Sequence, residues 1–164
     1  EGAGEGILRG MYRLRASALP SAAARVQLLG SGTILREVLA AAAALERESG
    51  VAADVWSVTS FTELRRDAAR CALWNGEHPG DPRRSWVEQC LAGAPGGTSG
   101  PVVAATDYVR ALADLIREWV PGKYVTLGTD GFGRSDTRAA LRKIFRVDAP
   151  SVAQAALACL ARPG

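Results

Sequence analysis

Short apolar runs alternate along the chain with longer stretches in which apolar side chains recur every three or four positions. The runs at residues 26–29, 54–58, 102–105 and 124–127 have the length and the β-branched or aromatic content of buried strands. Between them lie helical stripes. Ile34, Leu35, Val38, Leu39, Ala42 and Leu45 share one face, as do Val109, Leu112, Ile116 and Trp119. The last stripe is Val152, Ala155, Ala156, Cys159 and Leu160. A shorter helix ending at Phe145 would turn Leu141, Ile144 and Phe145 inward and Arg138, Arg142 and Lys143 outward. Residues 63–73 are good helix formers with Arg65, Arg66 and Arg70 on a polar side, and Val87 and Leu91, four apart, predict a short helix at about 85–91. Residues 7–15 alternate from Met11 on, Tyr12 and Leu14 against Arg13 and Arg15. That predicts an edge strand with one wet face, whose arginines blunt edge-to-edge pairing.

Turn chemistry divides these elements. Ser31 or Thr33 is expected to cap the first helix, because a side-chain oxygen can accept from the free N–H groups of a first turn. Thr106-Asp107 and Ser135 or Asp136 are placed to cap later helices, and Gly50 to end the first as its C′ residue. Strands alternating with helices imply a three-layer α/β domain, its sheet mostly parallel with helices on both faces. Right-handed crossovers then bring the turns at 30–33, 59–63, 106–107 and 128–135 to one edge, where open α/β folds place ligands or partners. Residues 74–100, rich in Gly and Pro, read as an excursion within the domain. The domain is expected to span residues 7–164, with residues 1–6 a linker remnant and the chain a piece of a longer polypeptide.

At 164 residues the chain can bury a real core. Its net charge of +3 comes without interleaved basic and aromatic residues, so no nucleic-acid surface is expected. No run reaches the apolar length of a membrane span, and the first residues lack the basic and apolar regions of a signal peptide. Three cysteines, Cys71, Cys90 and Cys159, are odd in number and widely spaced, which argues against a disulfide framework and for a reducing, cytoplasmic compartment. With one histidine, they do not supply the paired spacings of a zinc site.

Candidate chemistry gathers at the shared edge. Gly30-Ser31-Gly32 follows a strand, yet Leu35 stands where a dinucleotide-binding loop needs its third glycine, so a tight turn into a capped helix is the better account. His78 has no carboxylate partner in sequence, and no Ser-His-Asp order, nucleophile elbow or phosphate loop is present. The densest loop is residues 127–136, which carries Asp130, Phe132, Arg134 and Asp136. The three charged residues could form an ion-pair network that rigidifies the loop, or serve a ligand. Gly131 and Gly133 permit backbone angles that Phe132 could not easily adopt. An exposed Phe132 would mark a contact surface and a buried one a core plug. Ser60, Phe61 and Glu63 join these four as candidate interface or site-edge residues.

Residues 57–67 and 127–138, together with Glu5-Gly6-Ile7-Leu8-Arg9-Gly10-Met11-Tyr12, Val26-Gln27-Leu28-Leu29-Gly30-Ser31-Gly32 and Trp74-Asn75, resemble the C-terminal domain of the homodimeric bacterial pyruvate dehydrogenase E1 family. The resemblance runs nearly end to end, with Gly and Pro slightly enlarging the region around residues 93–101. That family depends on thiamine diphosphate and belongs with the transketolases. The resemblance implies a five-stranded mixed sheet with one antiparallel edge strand. It also implies that thiamine diphosphate and Mg2+ are held elsewhere in the parent, because the Gly-Asp-Gly…Asn motif is absent here. No catalytic, cofactor-binding or metal-binding residue is therefore carried over. The implied role is a non-catalytic assembly domain of an enzyme that decarboxylates pyruvate and reductively acetylates the lipoyl group of E2. Its implied partners are the remaining E1 domains, the second E1 subunit of the homodimer and the E2 dihydrolipoyl acetyltransferase. Two alternatives stay open: a free-standing interaction or anion-binding module derived from such an enzyme, and the same domain of another 2-oxoacid dehydrogenase or a transketolase.

Overall fold

Five short strands form one mixed sheet in the order β1-β3-β2-β4-β5. The computed structural model describes residues 3–92 and 100–161. The strands are β1 (Met11–Arg15), β2 (Arg25–Ser31), β3 (Ala52–Val58), β4 (Val102–Ala105) and β5 (Tyr124–Leu127). β2, β3, β4 and β5 run parallel, and β1 pairs antiparallel with β3 at the edge. The helices are α1 (Ala3–Arg9), α2 (Leu35–Ser49), α3 (Phe61–Glu77), α4 (Trp86–Leu91), α5 (Arg110–Asp114), α6 (Arg138–Ile144) and α7 (Ala149–Ala161). The expected three-layer architecture is the one observed.

Strand alternation splits the core in two. Val26 and Leu28 of β2, Ala53 and Val55 of β3, and Val103 and Ala105 of β4 point to the side where α2 and α7 pack through Val38, Leu45, Val152 and Ala156. Leu29, Trp56, Val58, Val102 and Ala104 point to the other side, where Phe61 and Leu64 of α3, Val87 and Leu91 of α4, and Ile116 cover them. Both strand faces are therefore buried, which is why the runs read as nearly continuous apolar segments.

The N-terminal stretch differs from its expectation. Residues 7–9 are helical and belong to α1, which begins within the stretch read as a linker; only Met11–Arg15 is strand. Gly10 makes the break. Its φ of +102 suits glycine, and a Cβ there would lie 2.7 Å from the Ser60 carbonyl oxygen. The Gly10 carbonyl accepts from the backbone N–H groups of Thr59 (2.9 Å) and Ser60 (3.1 Å), so the turn is tied to the end of β3. The alternation also shifts: Met11 is buried while Leu14 is exposed.

At the opposite end of the sheet, buried Asp54 fixes the loop between β1 and β2. Its Oδ1 accepts from the Ser17 backbone N–H at 2.8 Å, and its Oδ2 accepts from Arg25 Nη1 at 2.7 Å and Gln27 Nε2 at 3.0 Å. Gln27 Oε1 in turn accepts from Trp56 Nε1 at 2.7 Å. Nearby, Glu46 of α2 binds Arg15 and accepts from Ser17 Oγ at 2.6 Å.

Residues 138–161 are apolar enough by composition to suggest a membrane span. The chain breaks between α6 and α7, with Arg146 at a φ of 55, and leaves helices of 7 and 13 residues. Neither matches the length of about 20 residues that spanning requires.

Candidate functional site

The carboxyl ends of β2, β4 and β5 meet in three turns that are stitched together. Ser31, the last residue of β2, donates its Oγ hydrogen to Thr106 Oγ1 at 2.7 Å, beyond the end of β4. Thr106 Oγ1 accepts from the Tyr108 backbone N–H at 3.2 Å. Gly32 adopts a φ of +54 and passes so close to Asp107 that a Cβ would lie 3.0 Å from its Oδ1. Thr33 Oγ1 donates to Asp107 Oδ2 at 3.3 Å. These contacts explain why neither Ser31 nor Thr33 caps the helix as expected: the Ser31 side chain makes no capping bond, and its hydroxyl is drawn to a neighbouring strand 75 residues away. Thr106-Asp107 likewise does not cap α5, whose N-cap position is Val109.

The turn after β5 lies against the same residues. Gly128 approaches the Tyr108 carbonyl so closely that a Cβ would sit 2.7 Å from the oxygen. The Thr129 backbone N–H donates to Tyr108 O at 2.9 Å, and its Oγ1 donates to Asp107 O at 2.6 Å. Asp130 takes hydrogen bonds from both the backbone N–H and the Nε–H of Arg110. The backbone bond, followed by the side-chain bond, holds the Asp130 carboxyl below its ordinary value. The expected network among Asp130, Arg134 and Asp136 is not formed. Asp130 is committed to Arg110, Asp136 Oδ1 accepts from the Thr137 backbone N–H at 2.6 Å, and Arg134 has no ion pair among the described residues. Thr137, not Ser135 or Asp136, caps α6 by accepting from Ala140 N–H at 3.3 Å.

Beyond this pinned base the loop stands out from the protein. Gly131 has a φ of +92, whereas Gly133 does not have a positive φ. Phe132 is 95% exposed, so it is not a core plug. Tyr108 and Val109, on the turn to which Thr129 and Asp130 are bonded, are also exposed. They form the apolar part of this edge that sequence reading missed. Val109, expected on an inward stripe, instead precedes a short helix whose buried residue is Ala113.

The other three candidates sit apart. Ser60 caps α3, its Oγ accepting from Glu63 N–H at 3.1 Å. Phe61 lies in the first turn of α3 facing the sheet and is only 3% exposed, so its side chain is part of the core and offers no contact surface. Glu63 pairs with Arg66. β2 and β4 separate the end of β3 from that of β5, about 14 Å at ordinary strand spacing. The seven residues therefore do not form one site.

A small cleft of about 210 Å³ lies between this edge and α6, with Thr33, Asp107, Arg138 and Phe145 among its lining residues. Among the described residues, no three His, Cys, Asp or Glu side chains are grouped to hold a metal ion. The Asp130 carboxylate is already engaged by Arg110. These residues do not fit a metal-bound diphosphate. Burial pushes the Cys90 thiol up to about 11 and also raises Cys71, where the Asp67 and Glu88 charges add to it. A raised thiol is a weaker nucleophile than a free cysteine.

Comparison with known proteins gives a consistent set of relatives. A family model for the transketolase-like TK C-terminal domain matches residues 10–148. The chain is similar to the pyruvate dehydrogenase E1 component of Pseudomonas aeruginosa, with 55% identity over 100% of this chain and 18% of that protein. The E1 component of Cupriavidus necator is 52% identical over 99% of the chain and 18% of the relative. That of Escherichia coli is 49% identical over 100% and 18%. The chain thus spans about 18% of the length of these relatives. Among solved structures, transketolase from Campylobacter jejuni superposes with a TM-score of 0.60 at 19% identity, covering 92% of this chain and 18% of the other. The structure described as a split gene transketolase, inactive beta4 tetramer, gives 0.58 at 20% identity, covering 92% and 42%. At those identities the superpositions speak to fold alone.

Proposed function

The chain belongs to the transketolase-like C-terminal domain family, and from that premise we propose that it is the C-terminal, non-catalytic assembly domain of a pyruvate dehydrogenase E1 component. The observation that carries this reading is its similarity to bacterial E1 components along its whole length. In this reading the parent decarboxylates pyruvate on thiamine diphosphate, held with Mg2+ in other domains, and reductively acetylates the lipoyl group of E2. The chain contributes contacts to the remaining E1 domains, to the second subunit of a homodimer and to E2, in the cytoplasm.

The edge geometry supports an assembly role. A loop base held by Arg110 and Thr129 presents a nearly fully exposed Phe132 beside exposed Tyr108 and Val109. Preorganised aromatic anchors of this kind lose little freedom on binding and favour contact surfaces. Ser60, Glu63, Arg134 and Asp136 supply polar groups at the same end of the sheet. Phe61 contributes by fixing the start of α3 from within.

Titration of labelled E2 subunit-binding domain onto this chain tests the docking part. Saturable binding is expected; absence of binding at high concentration would remove E2 docking and leave the E1 contacts. The pure chain alone, given pyruvate, thiamine diphosphate and Mg2+, is expected to produce no CO2 above the uncatalysed level, and sustained turnover would overturn the non-catalytic assignment.

A further inference from the structure

The outer face of α3 carries a charge pattern that neither the fold nor the Phe132 edge uses. We propose that the groove between α3 and the turn after α5 docks an acidic, amphipathic segment of a partner protein through Arg65, Arg70 and Leu73. The groove measures about 480 Å³, with Ala69, Leu73 and Leu115 providing apolar lining and Arg65, Arg66 and Arg70 the basic rim. On α3 these positions recur at helical spacing and form one continuous strip.

Two observations separate this face from an ordinary solvated one. Among the described residues, Arg65 and Arg70 have no ion-pair partner, whereas Arg66 is engaged by Glu63. Leu73, at the end of the strip, is 66% exposed. Unpaired guanidiniums beside an exposed leucine complement a helix or extended segment that presents carboxylates around one apolar side chain. The planar guanidinium donates two parallel N–H bonds to such a carboxylate, and seating a leucine-like side chain against Ala69, Leu73 and Leu115 removes apolar surface from water.

The same features disfavour a nucleic-acid chain. Glu63 at one end and Asp114, beside Leu115, interrupt the basic strip; both carboxylates are held by arginines. No aromatic ring lines the groove for base stacking. The inference rests on α3 itself and does not depend on the E1 parentage or on the Phe132 edge.

The test uses fluorescence anisotropy with the whole chain and three probes: a labelled peptide of Glu and Leu at helical spacing, a labelled polyglutamate, and a labelled single-stranded oligonucleotide. The Glu-Leu peptide is expected to bind saturably and to weaken as salt rises. The double variant R65E/R70E should lower its affinity about tenfold, and R65K/R70K should lower it less, because the charge remains. Leu73→Ser should lower it about fivefold. Circular dichroism should show all variants folded, since these side chains are exposed. The proposal is overturned if the peptide does not bind, if R65E/R70E leaves binding unchanged, or if the oligonucleotide binds more tightly and is lost in the same variant. Equal binding of polyglutamate with no effect of Leu73→Ser would also overturn it, since that is charge attraction without a docking groove.

Discussion

Asp130 holds Arg110 twice, accepting from its backbone N–H at 2.9 Å through Oδ1 and from its Nε–H through Oδ2. The contact joins the turn after β5 to the turn after β4, so it sets the base from which Phe132 projects. Asp130 is exposed, and its role is to order the loop more than to stabilise the domain. Asp130→Ala should therefore speed amide exchange at Thr129 and Gly131 while leaving exchange in β4 and the thermal midpoint unchanged. Unaltered exchange in the loop would show that Gly128 and Thr129 hold it without Asp130.

The same bond has a pH signature. The folded Asp130 carboxyl lies below its unfolded value, chiefly through the Arg110 backbone bond. Its contribution is thus fully present above the unfolded pKa and is lost as pH falls through the folded one. NMR titration of the carboxyl carbon should give a midpoint below that of an unstructured Asp peptide, with Arg110 N–H shifting in step. A midpoint at or above the peptide value would contradict the observed pairing.

Gly128 acts through space rather than through φ. A Cβ there would meet Tyr108 O at 2.7 Å and Arg110 N at 2.8 Å, and backbone atoms cannot rotate away. Gly128→Ala should push the two turns apart and cost about 1–3 kcal/mol, as overpacked sites do. Urea unfolding would measure the loss, and amide exchange at Thr129 should rise in the same variant. A variant as stable as the parent chain would mean that the turns separate freely.

Elements whose signals are local were readable in advance. The short helix expected at about residues 85–91 is observed as α4. Val87 and Leu91 sit four apart, and both are buried. Several of the expectations that failed are decided at long range. Ser31 and Thr33 looked like caps, yet their hydroxyls meet Thr106 and Asp107 across the sheet edge. Arg134 and Asp136 looked like the partners of Asp130, but Arg110 reaches it first from a turn 20 residues earlier. Phe61 looked like an edge residue because its neighbours are polar, whereas its place in the first turn of α3 points it into the core. Asp54 read simply as the start of a strand; nothing local showed that Arg25, Gln27 and Ser17 would surround its carboxylate.

That buried carboxylate should dominate acid sensitivity. Burial of Asp54 raises its pKa, but the bonds from Ser17, Gln27 and Arg25 and the Arg25 charge outweigh it, and the net shift is downward. Glu46 shifts the same way, with burial outweighed by bonds from Ser17, Arg15 and Ala18 and by the Arg15 charge. Both groups therefore add stability above their unfolded pKa values that fades as pH falls through the folded ones. Asp54→Ala, which leaves Arg25 and Gln27 without their acceptor, should cost about 3 kcal/mol at neutral pH. Stability measured against pH should fall less steeply on the acid side in Asp54→Asn than in the parent chain. Parallel pH curves would assign the acid sensitivity to other carboxylates.

Phe132 gives the sharpest separation between folding and assembly. Its side chain is 95% exposed, so truncation removes almost no buried area from the domain, and Phe132→Ala should change unfolding stability by less than about 0.5 kcal/mol. If the proposed assembly role holds, the same truncation should cost about 2 kcal/mol or more in association, the scale of a buried aromatic anchor. Placed in the full-length E1 component, the variant should dissociate at higher protein concentration by analytical ultracentrifugation, or bind labelled E2 domain more weakly. The unfolding midpoint of the isolated chain should stay in place. Arg134→Ala, on the same loop but with no ion pair to lose within the domain, should follow the same pattern with a smaller effect. Loss of association without loss of stability would assign Phe132 to an interface. Unchanged association in both variants would move the contact surface away from this edge, even though the Arg110–Asp130 clamp presents the ring so openly.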